Sequence, residues 1–257
     1  MKLINILVCL LILLNSISCS KSTEQPNANP EVILKKFDTW WAYNSNNINL
    51  TANYVALNEN SEAIDRENFL KSLTSGKYVA FKLVTSDSSL KYKLHKLNAQ
   101  ADASIGTNMK QFADTHYQYF KMEGKPIPDF NFTDLNGKIY NPETTKGKIV
   151  VLKCWFIHCF MCVKEMPKLN TIVEKYRNQK DVVFISLAYD DEEKLKQFLK
   201  KTKFNYAVVP VSEQYFEEKL KIYGFPTHFI ISKKGVISKV MSNADEMIGA
   251  LESELLK

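Results

Sequence analysis

The sequence predicts an α/β fold with a mixed central sheet over its C-terminal half, preceded by a smaller α+β module. Three observations carry this expectation. Residues 149–157 form an apolar run broken only by Lys153, and two cysteines three apart, Cys159 and Cys162, follow it. Such a run reads as a strand buried on both faces. Strand-like and helix-like segments then alternate as far as Gly224. The chain closes with two further apolar runs, at 227–232 and 236–241, joined by Lys233-Lys234-Gly235, and a terminal amphipathic segment. Alternation followed by a closing hairpin and helix points to a mixed sheet with helices packed on it.

The elements follow in order. Residues 1–18 hold a basic start (Lys2), an apolar stretch and small residues before Cys19. That is the pattern of a secretory signal peptide, and it is too short for a membrane span. Residues 16–20, S-I-S-C-S, resemble a bacterial lipoprotein processing site, with Ser16 standing where Leu is commoner; the resemblance implies that Cys19 is the lipidated first residue of the mature chain, and the competing reading is ordinary cleavage near Ser18, which leaves Cys19 a free thiol. Residues 19–30 are polar and Pro/Asn-rich and read as a tether. The module at 31–125 lacks cysteine. Segments 32–43 and 53–58 read as short strands, and a helix is expected over 65–74, stopped near Gly76. Residues 78–85 and 90–97 alternate apolar and polar, and Ser86–Ser89 joins them as a hairpin. An amphipathic helix fits 105–122. Trp40-Trp41 places at least one indole in the core, while His95 and His116 read as packing or surface residues. Nothing in this stretch names a role for the module.

Residues 126–257 open with a hairpin at 130–140 over Asn136-Gly137. The strand at 148–157 leads into a helix over 159–177, which Pro167 must kink or restart. A strand at 182–188, a helix from Asp190-Asp191 to about 201, a strand at 206–211 and a helix at 213–223 come next. After the closing hairpin, a helix spans 244–255.

Composition excludes several classes. The chain has 257 residues, 45% of them hydrophobic and 12% aromatic, so it is not a disordered sequence. Its net charge is +6, and +5 for a chain beginning at Cys19, but the lysines are dispersed. No basic run interleaved with aromatics marks a nucleic-acid site, and no nucleic-acid partner is expected. No stretch after residue 19 is apolar for long enough to cross a bilayer.

The cysteine pair is the candidate site. A buried strand delivering Cys159 to the first turn of a helix places it where unpaired N–H groups favour a thiolate. Cys162, one turn on, faces Cys159 and can close a disulfide ring with it. Two plainer readings are a pair of core cysteines and half of a zinc site. Zinc needs a second ligand pair, whereas the remaining cysteines are Cys9, Cys19 and Cys154, and His95, His116, His158 and His228 show no zinc-finger spacing. The strand-then-helix context favours a redox pair. No cofactor and no metal is expected. Cys154 reads as a small buried hydrophobe.

With W-F-x-x-C-x-x-C (155–162), K-E-M-P (164–167) and G-F-P-T-H-F-I-I (224–231), residues 126–257 resemble the thioredoxin-like superfamily. They are most similar to the TlpA/ResA-type envelope thiol–disulfide oxidoreductases found as lipoproteins in Bacteroidetes. The extra helix and strand between Asp190 and Val211 match an insertion of that family. The resemblance implies a thioredoxin-like fold, with Cys159 as the attacking thiol, Cys162 as the buried resolving thiol, and Pro226 as a cis-proline facing the pair. It implies that Glu165 lies beneath the pair and assists proton transfer to the resolving sulfur. Lys153 departs from the pattern, since thioredoxins carry a buried acid there and this family often Asn. A lysine in an apolar strand needs a partner, and Glu165 is the expected one. His158, directly before Cys159, is a second tuning candidate. His228 reads as packed rather than catalytic. Phe160 and Met161 between the cysteines are unusual and donate no side-chain hydrogen bond to a thiolate.

The resulting expectation is a lipid-anchored thiol–disulfide oxidoreductase of the cell envelope facing the periplasm. It acts as a reductant, exchanges with envelope proteins bearing dithiols or disulfides, and is resupplied by a membrane electron donor. Apocytochrome c cysteines are a substrate class offered by family analogy alone. A peroxiredoxin-like peroxidase is the alternative, but Leu152 and Phe156 stand where that chemistry wants Pro and Thr or Ser. A Sco-like copper carrier expects C-x-x-x-C, one residue more than is present, and only His228 suits it. In a further reading, 31–125 is a binding domain with the redox unit as its effector.

Overall fold

The computed structural model describes residues 24–257; the leader at 1–18 and Cys19 lie outside the described residues. The N-terminal part opens on two helices, α1 (Pro30–Ile33) and α2 (Phe37–Asn47). This corrects the strand expected over 32–43. Asn29 caps α1 by accepting from Glu31 N, and Pro30 occupies the first turn, where an N–H has no partner in any case. In α2, Phe37, Trp40 and Asn44 recur at helical spacing and face the core, so helical periodicity overrides the strand propensity of an aromatic cluster. Trp40 is 1% exposed and Trp41 44%, separated by helical rotation rather than by strand alternation.

The module continues with β1 (Val55–Leu57), β2 (Ala63–Ile64), α3 (Arg66–Thr74), β3 (Tyr78–Lys82), β4 (Lys91–Lys96) and α4 (Ala103–Met122). Its sheet runs β2-β1-β4-β3, with β1 and β4 parallel and the other pairs antiparallel. The β3–β4 hairpin is as expected. Asp65 caps α3 by accepting from Asn68 N. Gly76 (φ +67°) ends the segment and lies so close to α4 that a Cβ at Gly106 would fall 2.6 Å from its carbonyl oxygen. Residues 25–27, assigned by composition to the tether, lie along β3: Asn27 N donates to Lys82 O, and Tyr43 Oη donates to the Asn27 side chain at 2.6 Å.

The second part starts with a small hairpin, β5 (Phe132–Thr133) and β6 (Ile139–Tyr140), turning at Gly137 with φ +81°. Then come β7 (Ile149–Trp155), α5 (Phe160–Lys164), α6 (Met166–Tyr176), β8 (Val182–Ala188), α7 (Glu192–Leu199) and β9 (Ala207–Pro210). A π-helical turn (Tyr215–Leu220) replaces most of the helix expected at 213–223 and ends on Lys221 in the left-handed region. β10 (Thr227–Ile231), β11 (Ile237–Met241) and α8 (Ala244–Leu255) complete the chain. The sheet order is β11-β10-β7-β8-β9. β7, β8 and β9 run parallel, while β10 and β11 are antiparallel to their neighbours. This is the mixed α/β architecture the sequence predicts. Side chains alternate across β7: Val150 and Leu152 pack with Phe216 and Phe229 on one face, and Ile149 and Val151 pack with Leu169, Met247 and Leu251 on the other.

Helix α4 joins the two sheets. Gly124 N donates to Ile237 O and Ile237 N to Lys125 O, each at 2.8 Å. Arg66 makes a paired contact with Glu123 at 3.0 and 2.9 Å and also donates to Leu50 O.

Candidate active site

The cysteines sit at the C-terminal end of β7, the place where open α/β sheets present their ligands and reacting groups. Every residue of β7 is buried. Trp155 ends it, and the turn that follows is pinned by Ile157 N donating to Asp190 Oδ2 at 2.8 Å. Cys159 is the N-cap of α5, with its sulfur accepting from Cys162 N at 3.2 Å. Cys159 and Cys162 are joined as a disulfide. The two sulfurs are unequal: Cys159 lies at the surface edge with 7% exposure, and Cys162 is wholly buried. Phe160 and Met161, between them in the chain, stand exposed. The Phe225–Pro226 peptide is cis. Phe225 is held edge-on between Phe156 and Phe216, with ring centroids 5.5 and 5.2 Å away. Thr227 fixes the turn by donating to Gly224 O at 2.7 Å. Its hydroxyl proton is thereby used, so Tyr119 Oη, 3.1 Å away, is the donor to Thr227 Oγ1.

Beneath the disulfide lies a buried polar cluster. Helices α5 and α6 meet at Glu165, with Pro167 in the first turn of α6, so the break expected from Pro167 falls on the acid itself. Lys153 and Glu165 form an ion pair. Lys153 is wholly buried and also donates to Cys162 O at 3.2 Å. Glu165 Oε1 meets His228 Nε2 at 2.9 Å, and Oε2 accepts from Ala244 N at 3.1 Å. Burial works to raise the Glu165 carboxyl, but the His228 hydrogen bond and charge and the Lys153 ammonium overcome it and hold the group below the ordinary carboxylate range. Burial pulls Lys153 down, opposed by Glu165. Burial likewise lowers His228, again opposed by Glu165. An ionised carboxylate only accepts, so His228 carries its proton on Nε2. Its Nδ1 has no partner among the described residues.

The structure thus brings Lys153 to Glu165, as expected, and adds His228, which sequence reasoning left in the packing. The signal lay in strand register: β10 pairs with β7 so that His228 stands opposite Lys153. His158 is exposed beside Cys159. Cys154 is buried, and burial pushes its thiol far up, as suits a core residue. No group of three or more His, Cys, Asp or Glu side chains among the described residues is placed to hold a metal ion.

A parallel-centred mixed sheet with a C-x-x-C disulfide at its central strand and a cis-proline strand alongside defines a thioredoxin-type dithiol–disulfide protein. The family model and the sequence relatives agree. The AhpC/TSA family model matches residues 124–240. The thiol–disulfide oxidoreductase ResA of Bacillus thuringiensis is 38% identical over 122 residues, 46% of this chain and 68% of the relative. ResA of a Bacillus cereus strain is 36% identical over 149 residues, 54% and 80% of the two chains. A solved structure of a putative protein disulfide isomerase from Bacteroides thetaiotaomicron aligns with 52% of this chain and 91% of that one, at 26% identity and a TM-score of 0.47. The chain belongs to the ResA-type thiol–disulfide oxidoreductases of the thioredoxin-like superfamily, and its chemistry is thiol–disulfide exchange.

Proposed function

We propose that this protein is a lipid-anchored reductase of the cell envelope, working through Cys159 and Cys162 on the periplasmic side of a membrane. The observation that carries the assignment of roles is the inequality of the two sulfurs. Cys159 is at the surface edge and meets the substrate disulfide; Cys162 is buried and resolves the mixed disulfide from within. Glu165 lies one turn beyond Cys162 and assists its deprotonation. Pro226 and the Phe225 backbone shape the surface that receives an extended substrate segment. His158 and Lys153 tune the pair from the exposed and buried sides. Residues 126–257 act as the redox domain, preceded by the N-terminal α+β module at 31–125. The signal pattern at 1–18 and Cys19 support the lipid anchor, and the ResA relatives support an exchange partner bearing cysteine pairs. Apocytochrome c cysteines are one such class. A membrane electron donor restores the dithiol.

The test is trapping. A Cys162→Ala variant holds mixed disulfides through Cys159, and mass spectrometry names the partners. The dithiol form reduces insulin, and Cys159→Ser abolishes this. A folded Cys162→Ala protein that captures nothing from an envelope extract sinks the reading. Peroxide turnover comparable to insulin reduction would move it to the peroxidase class instead.

A further inference from the structure

His228 is wholly buried, two residues past Pro226, and the pairing of β10 with β7 sets it opposite Lys153. It meets the same Glu165 oxygen as Lys153, while Ala244 N occupies the other oxygen. Three donors therefore converge on one carboxylate, whose side chain is only 13% exposed. Besides Lys153, the titratable or charged groups of the packed elements are Cys154 on β7, Cys162 on α5, the buried Tyr206 before β9, and the exposed pair of Lys168 on α6 and Asp245 on α8. The only polar side-chain partner shown for His228 among the described residues is Glu165, so the imidazole acts through that acid.

We propose that His228 is a positioning residue for the resolving step: its Nε2–H holds Glu165 as an aligned carboxylate, the form able to take the proton of Cys162. The proposal rests on the roles given above to Cys159, Cys162 and Glu165. In the reducing direction, the Cys159 thiolate attacks the substrate disulfide, forms the mixed disulfide and expels one substrate thiolate. Cys162 then gives its proton to Glu165, and its electron pair attacks Cys159 Sγ. The intramolecular disulfide forms, and the second substrate sulfur leaves as a thiolate. Two electrons pass to the substrate, and Glu165 later returns the proton to solvent. A hydrogen bond to the charged form of an acid favours that form. Without the His228 donor, Glu165 protonates at higher pH and stops accepting sooner as the solution is acidified.

Dithionitrobenzoate separates the two steps. The reduced full-length protein releases one thionitrobenzoate when Cys159 attacks and a second when Cys162 resolves. The rate of the second release, followed by stopped flow across pH, falls away on the acid side as Glu165 protonates. In His228→Leu this acid limb moves up by about one pH unit, tenfold in the protonation constant, while the first release keeps the wild-type rate. His228→Gln, whose amide nitrogen can donate from a similar place, restores the limb. His228→Asn, too short to reach, shifts it as Leu does and serves if the Leu variant does not fold. Glu165→Gln slows the second release and moves its limb toward the range of an ordinary thiol. If Glu165→Gln behaves so but the folded Leu or Asn variant keeps the wild-type limb, His228 has no positioning role and the reading of Glu165 stands. If Glu165→Gln keeps the wild-type limb, the role of Glu165 falls and that of His228 with it. A single release from wild type overturns the resolving role of Cys162 itself.

Discussion

The buried ion pair makes an unequal demand on its partners. Lys153 is wholly buried, and apart from Glu165 its ammonium has, among the described residues, only the Cys162 carbonyl. Glu165 keeps His228 Nε2, Ala244 N and a margin of solvent if the lysine is removed. Breaking a buried pair by removing one partner costs about 3–5 kcal/mol, because the other charge is stranded. Glu165→Gln strands the ammonium and falls in that range. Lys153→Met nearly preserves volume and leaves the carboxylate two donors, so its cost is closer to one charge-assisted hydrogen bond, about 1.5–3 kcal/mol. The double variant strands nothing and is expected to be no less stable than Glu165→Gln alone, which is a coupling of about 2 kcal/mol or more. The assay is urea unfolding of the oxidised protein at pH 7 with an unchanged m-value, read as shifts in midpoint. Costs that add to within about 0.5 kcal/mol, or a Lys153→Met variant less stable than Glu165→Gln, refute the reasoning.

Two further outcomes follow from the module behind the redox sheet. His116 on α4 packs against Phe112 and Tyr119, and burial with the nearby Arg66 charge lowers it from 6.5 to about 4. Below pH 6.5 the unfolded chain binds a proton that the folded one refuses. Stability therefore falls from about pH 6.5 to about pH 4, by up to roughly 3 kcal/mol. His116→Gln flattens the decline in Tm over that window, and an unchanged slope counts against the assignment. Gly106→Ala normally strengthens a helix by about 1 kcal/mol, but here the new Cβ meets the Gly76 carbonyl at 2.6 Å. The variant is expected to have a lower Tm, and a raised one would show that the two segments part easily.

Much of the fold was legible in local signals. Residues 182–188 and 244–255 form elements with the bounds expected, because an apolar run and an Asn-capped amphipathic segment are each self-contained. Asp65, Asp191 and Gly137 act as caps and turn residue for equally local reasons. Residues 32–43 were misleading because Trp and Tyr favour strands, and only the three-and-four spacing that reaches Asn44 betrays the helix. The π-helical turn at 215–220 has the amphipathic pattern of an ordinary helix, and nothing in its composition marks the wider winding. At the site, the cysteines and Glu165 announce themselves by adjacency. His228 does not, because its neighbour Lys153 is brought to it by an antiparallel pairing across 75 residues of chain. A long-range register leaves no trace in a sequence window.

The contact between Tyr119 and Thr227 has a mechanical consequence. Helix α4 belongs to the first sheet, yet its last turns end on the hydroxyl that braces the loop carrying Pro226, and the backbone just beyond it is stitched into β11. The first module is therefore no loose bead strung ahead of an independent enzyme. It is a bracket bolted to the loop that carries Pro226, so the end of α4 and the turn beside the disulfide share one hydroxyl contact.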